Sequence, residues 1–131
     1  MSDLFAVPEE WKKRALMTEA QYDAAYAEAK RDPDGFWGKE AARLCFINVL
    51  VHLKAACDGD LDRVRRVVRL GGFIASPPEF TQHAQVMNGA SDLAVAVFSD
   101  AGRHARTTIG VPALPADAAV EVEGMFEIGW A

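Results

Sequence analysis

The side chains able to do chemistry are few and scattered. Two cysteines, Cys45 and Cys57, lie twelve residues apart without a CxxC pairing or a histidine cluster, which reads as two small apolar side chains in a reducing compartment. His52, His83 and His104 have no partner at a metal-ligand spacing, so neither a metal nor a cofactor is expected. Arg63, Arg65, Arg66 and Arg69 form a basic cluster without the interleaved aromatics that stack bases, the pattern of a solvated sheet face. The remaining arginines, glutamates and asparagines are of types that bind or activate small polar molecules, but neither type nor spacing sets any one of them apart. A guanidinium can grip a carboxylate through two parallel charge-assisted hydrogen bonds, and a glutamate can take a proton from an attacking water. By type and spacing alone, Arg106 reads as a surface arginine, Glu121 as the wet face of a strand and Asn88 as an exposed helical residue.

The elements that would position them follow from periodicity. Residues 1–17 carry no clear pattern, with Pro8 and Trp11 as the expected docking points. Thr18 and Gln21 form a capping box opening a helix from Glu19 to about Lys30, with Tyr22, Ala25, Tyr26 and Ala29 on one side. Asp32-Pro33 restarts a helix, aspartate at the N-cap and proline at the first helical position, and the Phe36-Trp37 pair should anchor that segment. From Lys39 to Cys57, Ala42, Cys45, Phe46, Val49, Leu50 and Leu53 make a broad apolar face suited to lying on a sheet. Asp58-Gly59-Asp60 stops it. The stretch from Leu61 to Ala75 fits helical and strand spacing alike. Its valines and the Gly71-Gly72 pair favour strand. A second helix is expected from about Thr81 to Ala101, with Val86, Ala90, Leu93 and Val97 inward. A short strand should follow over 107–111, and a longer alternating one over 119–128. The later part therefore reads α-β-α-β-β, an α+β fold with a mixed sheet covered by two helices.

Composition narrows the class. With 131 residues, half of them hydrophobic and a quarter charged, the chain suits a soluble domain that needs no disulfide or metal to fold. Fourteen basic against nineteen acidic residues give a net charge of −5, which argues against a nucleic-acid partner. No signal-peptide pattern opens the sequence, and no run reaches the roughly 18 apolar residues of a membrane span. The expectation is a cytoplasmic protein without membrane association.

Five motifs carry a resemblance: EAARLC (40–45), GDLDRVRRVVRLGGF (59–73), NGASDL (88–93), AGRHAR (101–106) and AAVEVEGMFEI (118–128). Over about residues 38–128 they resemble the chorismate-mutase-like, endoribonuclease-like branch of the reactive-intermediate deaminase (RidA, YjgF-like) family. The resemblance implies a homotrimer with sites between subunits and hydrolysis of 2-imino or enamine acids to 2-keto acids and ammonia. It also implies that Arg106 grips the substrate carboxylate and that Glu121 positions or activates water. Asn88 then lies near the ligand, and Thr108 stands where relatives carry a cysteine or small polar residue. A non-catalytic metabolite-binding or structural trimer of the same fold is the alternative. RNA cleavage is the weakest reading, given the acidic charge.

The N-terminal part resembles something else. VPEEW (7–11) and AQYDAAYAEAKRDPDGFWG (20–38) are similar to the N-terminal segment of acetyl-CoA synthetases, without the nucleotide-binding loops of those enzymes. The expectation is a chimeric chain, a helical segment over 1–37 and a RidA-like domain over 38–131, joined within Trp37–Leu44. The RidA resemblance implies a β-hairpin before the first helix. Nothing between Met1 and Gly38 alternates like its strands, so the sheet should lack two strands and the pocket one wall.

Overall fold

The computed structural model describes residues 8–130, apart from the Trp11 side chain. Val7, which opens the VPEEW motif, and the indole of Trp11 lie outside the described residues. The chain divides into two compact units, one ending at Pro33 and the other beginning at Asp34.

The first unit is helical. Helix α1 (Glu9–Arg14) occupies part of the stretch expected to be irregular. Its acidic first turn and basic last turn complement the helix dipole, and Lys12 pairs with Glu9 at 2.7 Å. Helix α2 (Glu19–Arg31) starts at the expected capping box: the Gln21 amide N–H donates to the Thr18 hydroxyl, and the Thr18 amide N–H to the Gln21 side chain. Tyr22 and Tyr26, one turn apart, stack at 6.0 Å, and the Lys30 ammonium sits 5.2 Å from the Tyr26 ring. No residue of α2 is buried.

The second unit holds all but the first residue of α3 (Pro33–Ala56), followed by β1 (Val64–Ala75), α4 (His83–Phe98), β2 (Ala105–Val111) and β3 (Val120–Ile128). The sheet has the order β2-β1-β3, β1 pairing parallel to β2 and antiparallel to β3. It is the expected α+β mixed sheet with two helices, and helices stand where an N-terminal hairpin would be. Helix α3 begins at Pro33 and passes unbroken through 37–44, the expected join. Its Ala42 and Phe46 pack with Val86, Met87, Ala90 and Ala94 of α4 over Val67, Leu70 and Ile74 of β1 and Val120 of β3. Both helices thus lie on one face of the sheet. Leu53, Cys57 and Val64 form a smaller cluster at one end.

Three expectations need correction. Trp37 stacks edge-on against Phe36 at 5.0 Å but remains 63% exposed, so of the expected anchoring pair only Phe36 is half-buried. On α4 the inward row is Val86, Ala90 and Ala94 rather than one ending at Val97, which is exposed. A four-residue step keeps these side chains on one face, whereas Val97 falls outside that row. The helix also ends at Phe98, and a 3₁₀ turn over Ser99–Gly102 replaces its expected last turn. Close approach to backbone requires glycine at Gly89, where a Cβ would overlap the Lys39 carbonyl of α3, and at Gly102, where one would overlap the Ala94 carbonyl of α4.

Candidate functional site

The parallel pairing of β1 with β2 sets Leu70 opposite Arg106, Gly72 opposite Thr108 and Ile74 opposite Gly110. Paired residues share a face, so Arg106 and Thr108 lie on the side that carries the helices, next to α4. There Arg106 Nη1 donates to Asn88 Oδ1 at 2.8 Å and to Ser91 Oγ at 3.2 Å. Asn88 and Ser91 are one turn apart on α4 and present adjacent acceptors. An arginine only donates, so the Asn88 atom facing it is the carbonyl oxygen. Nη1 is thus fully used. Among the described residues Nε and Nη2 have no partner, and their two N–H groups form the edge that matches a carboxylate.

The network continues through residues that sequence reasoning missed. Ser91 Oγ lies 3.0 Å from His104 Nε2, and His104 Nδ1 lies 2.6 Å from the Gly102 carbonyl oxygen. The carbonyl can only accept, so the proton resides on Nδ1, and in the neutral ring Nε2 accepts from the Ser91 hydroxyl. A signal was present: Ser91 follows Asn88 at helical spacing, and His104 precedes Arg106 at strand spacing. Thr108, two residues beyond Arg106, has a buried hydroxyl without a hydrogen-bond partner.

Glu121 is elsewhere. Val120 points into the core, and its neighbour Glu121 pairs with Phe73 on the helix-free face. Arg106 and Glu121 therefore stand on opposite outer strands and opposite faces, with roughly 14 Å expected between their Cα atoms from strand spacing and rise. Glu121 has no hydrogen-bond or ion-pair partner among the described residues, whereas Glu123 faces Arg69 at 3.8 Å. Cys45 of α3 donates to the Val120 carbonyl at 3.3 Å. Burial pushes its thiol pKa up, the nearby Glu121 charge adds to that, and the backbone contact partly offsets both.

The basic cluster is largely neutralised: Arg63 pairs with Asp58 at 2.6 Å, Arg66 with Glu127 at 2.7 Å and Arg69 with Glu123. A separate cleft of about 320 Å³ at the carboxyl ends of β1 and β2 has Ser76 and His83 in its wall, 3.0 Å apart. Among the described residues, no group of three or more His, Cys, Asp or Glu could hold a metal, and no helix is long and apolar enough to cross a membrane.

Residues 12–127 match the family described as "YjgF/chorismate mutase-like, putative endoribonuclease". The chain belongs to this family. This YjgF-like chain is 51% identical over 92 residues to protein TCP17 of Trypanosoma cruzi, an alignment covering 70% of the chain and 57% of TCP17. Its fold matches that of Atu1372, a protein of unknown function from Agrobacterium tumefaciens, with a TM-score of 0.69 and 47% identity, over 70% of the chain and 58% of Atu1372. A "putative endoribonuclease" from Shewanella oneidensis MR-1 matches with the same TM-score at 33% identity, over 72% and 62% of the two chains. The chain thus spans 57–62% of the length of these three relatives. It is also 40% identical over 62 residues to an acetyl-coenzyme A synthetase of Desulfatibacillum aliphaticivorans, which covers 47% of the chain and only 10% of the synthetase. Similarity to two unrelated groups supports a composite origin. The YjgF-like match nevertheless begins at residue 12 and reaches across the synthetase-like motifs.

Proposed function

We propose that the chain is a hydrolytic deaminase of reactive 2-imino or enamine acids, working at a site completed between subunits of a homotrimer. The observation that carries this reading is the Arg106 guanidinium, held at Nη1 by Asn88 and Ser91 with its Nε–Nη2 edge unpaired. Such an edge is prepared for a carboxylate. Water adds to the C2 carbon of the imine as Glu121 takes its proton. That proton passes to the nitrogen to give the carbinolamine. Glu121 then takes the hydroxyl proton and delivers it to the nitrogen as the C2–N bond breaks, releasing the 2-keto acid and ammonia. Carboxylate and C2 are adjacent atoms, whereas Arg106 and Glu121 of one chain stand on opposite faces of its sheet. The two roles are therefore filled by different subunits. Thr108 lies beside the anchor as a further ligand contact. No cofactor or metal is invoked.

In this reading the segment 1–37 supplies no catalytic group, and 38–131 is the catalytic domain. The reaction belongs in a reducing cytoplasm, where Cys45 and Cys57 stay as free thiols. RNA is not the substrate, because net charge is −5 and three arginines of the basic cluster are already paired. One observation favours a second reading, a metabolite-binding trimer without turnover: the sheet has three strands, and neither outer strand has a further neighbour among the described residues.

Keto-acid release from freshly generated 2-iminobutanoate tests the proposal. Arg106→Lys keeps the charge and loses the fork, so calorimetric affinity for 2-oxobutanoate should fall by about tenfold or more. Glu121→Gln should leave that affinity nearly intact and lower turnover, the pattern of a group acting in the transition state. Damage from Glu123→Gln instead would move the catalytic role along β3. Binding without turnover would select the second reading, and a monomeric mass in solution would remove the shared site.

A further inference from the structure

We infer that Ser91 and His104 are positioning residues, which hold the Arg106 guanidinium in the orientation that binds a carboxylate. The inference rests on the reading of Arg106 as the carboxylate anchor and extends it to two residues outside ligand contact. Its basis is the direction of the hydrogen bonds. The Gly102 carbonyl accepts from Nδ1, 2.6 Å away, which strips Nε2 of its proton in the neutral ring. Nε2 then accepts the Ser91 hydroxyl hydrogen over 3.0 Å. That turns the Ser91 lone pairs, not its hydrogen, toward Arg106 Nη1 at 3.2 Å. Asn88 holds the other Nη1 hydrogen at 2.8 Å. A planar guanidinium fixed through both hydrogens of one terminal nitrogen cannot rotate about its own axis, so its opposite edge keeps a set direction.

Each link is needed for this. An arginine on an outer strand, with an exposed side chain, loses several rotatable bonds' worth of freedom when it binds a ligand. Preorganisation removes part of that cost before binding. Asn88 alone supplies one bond and leaves the plane free to swing about it. Ser91 supplies the second, and His104, by taking the hydroxyl hydrogen, stops that rotor from turning and keeps the lone pairs toward Nη1. His104 in turn is set by the backbone of the 3₁₀ turn over Ser99–Gly102, so the turn that ends α4 also fixes the direction of the network.

The test uses the full chain, with 2-oxobutanoate as the probe in calorimetry and with nitrogen NMR of the Arg106 guanidinium and the His104 ring. Ser91→Ala and His104→Ala should each weaken binding roughly five- to tenfold, as loss of a hydrogen bond to a charged group does. The double variant should be no weaker than the worse single, because both changes break one chain of bonds. Ser91→Thr, which keeps the hydroxyl, should recover most of the loss. In an Arg106→Ala background neither change should matter further. The guanidinium signals should show hindered rotation in the parent and free rotation in Ser91→Ala and His104→Ala, and the His104 ring should carry its proton on Nδ1. Free rotation in the parent, or full additivity of the two substitutions, overturns the inference. If Arg106→Ala binds 2-oxobutanoate as well as the parent does, the anchor reading fails by itself, while the guanidinium signals still decide whether Ser91 and His104 fix the side chain.

Discussion

Helices α2 and α3 are separated by one residue, Asp32, and are stabilised in different ways. Helix α2 has thirteen residues and buries none of them. Its order comes from the Thr18–Gln21 capping box, alanine-rich composition, a basic last turn and the Tyr22–Tyr26 stack, each acting within the helix. Helix α3 has twenty-four residues and buries Gly35, Ala42, Phe46 and Leu53. Its start at Pro33 is local, but its stability comes from a sheet whose strands lie eight or more residues away in the chain. Adjacent segments can thus be ordered by local signals or by a core. Substitutions should separate the two by whether their cost spreads through the cooperative unit or stays within one helix.

The largest effect should come from the centre of the core. Leu70 is completely buried and lies in the cluster formed by both helices and strands β1 and β3. Leu70→Ala should cost about 2–5 kcal/mol, from lost burial plus the cavity left behind. A denaturant titration should show a lower midpoint for the whole second unit. A loss confined to one element would mean that residues 34–131 do not unfold together.

Gly89→Ala is next and sets two effects against each other. Alanine in a helix interior is favoured over glycine by about 1 kcal/mol. Here the new methyl meets the Lys39 carbonyl, a backbone atom that no rotamer change can move away. Overpacking of this kind costs roughly 1–3 kcal/mol, and more where backbone must shift, so the substitution should destabilise. It should also loosen Asn88, the preceding residue on α4, and so weaken keto-acid binding along with stability. A gain in the thermal midpoint would show that α3 and α4 can separate without cost.

What the sequence made legible follows the same division. The α2 cap, the stop at Asp58-Gly59-Asp60 and the alternation over 120–128 are local patterns, and they could be read residue by residue. The inward face of α3 was legible because a broad apolar stripe admits one orientation on a sheet. Val97 was misplaced because α4 is apolar on several sides, and only packing selects the row through Ala94. At the site, Asn88 and Arg106 came from motifs, and the structure joins them at 2.8 Å. Ser91 and His104 stood in the same motifs unnoticed, since their importance lies in the direction of a hydrogen bond that spacing does not reveal. The opposite faces of Arg106 and Glu121 could not be read either. They depend on which strand lies between them and in what register.

The smallest expected effect tests the local end of the comparison. Thr18→Ala removes the hydroxyl that accepts the Gln21 N–H, and with it the geometry that lets Gln21 reach back to the Thr18 amide. Loss of such a cap costs about 1 kcal/mol of helix stability. In a helix that belongs to a packed core, that loss would lower the midpoint of the entire unit. No residue of α2 is fully buried, so its fraying should have little to transmit. Amide hydrogen exchange should therefore quicken over the first turn of α2, at Gln21 and Tyr22, while the thermal midpoint of residues 34–131 stays within about 0.5 kcal/mol of the parent in free-energy terms. Should that midpoint fall by the full cost of the cap, α2 folds together with the sheet, and the contrast between a locally held helix and a core-held one does not stand.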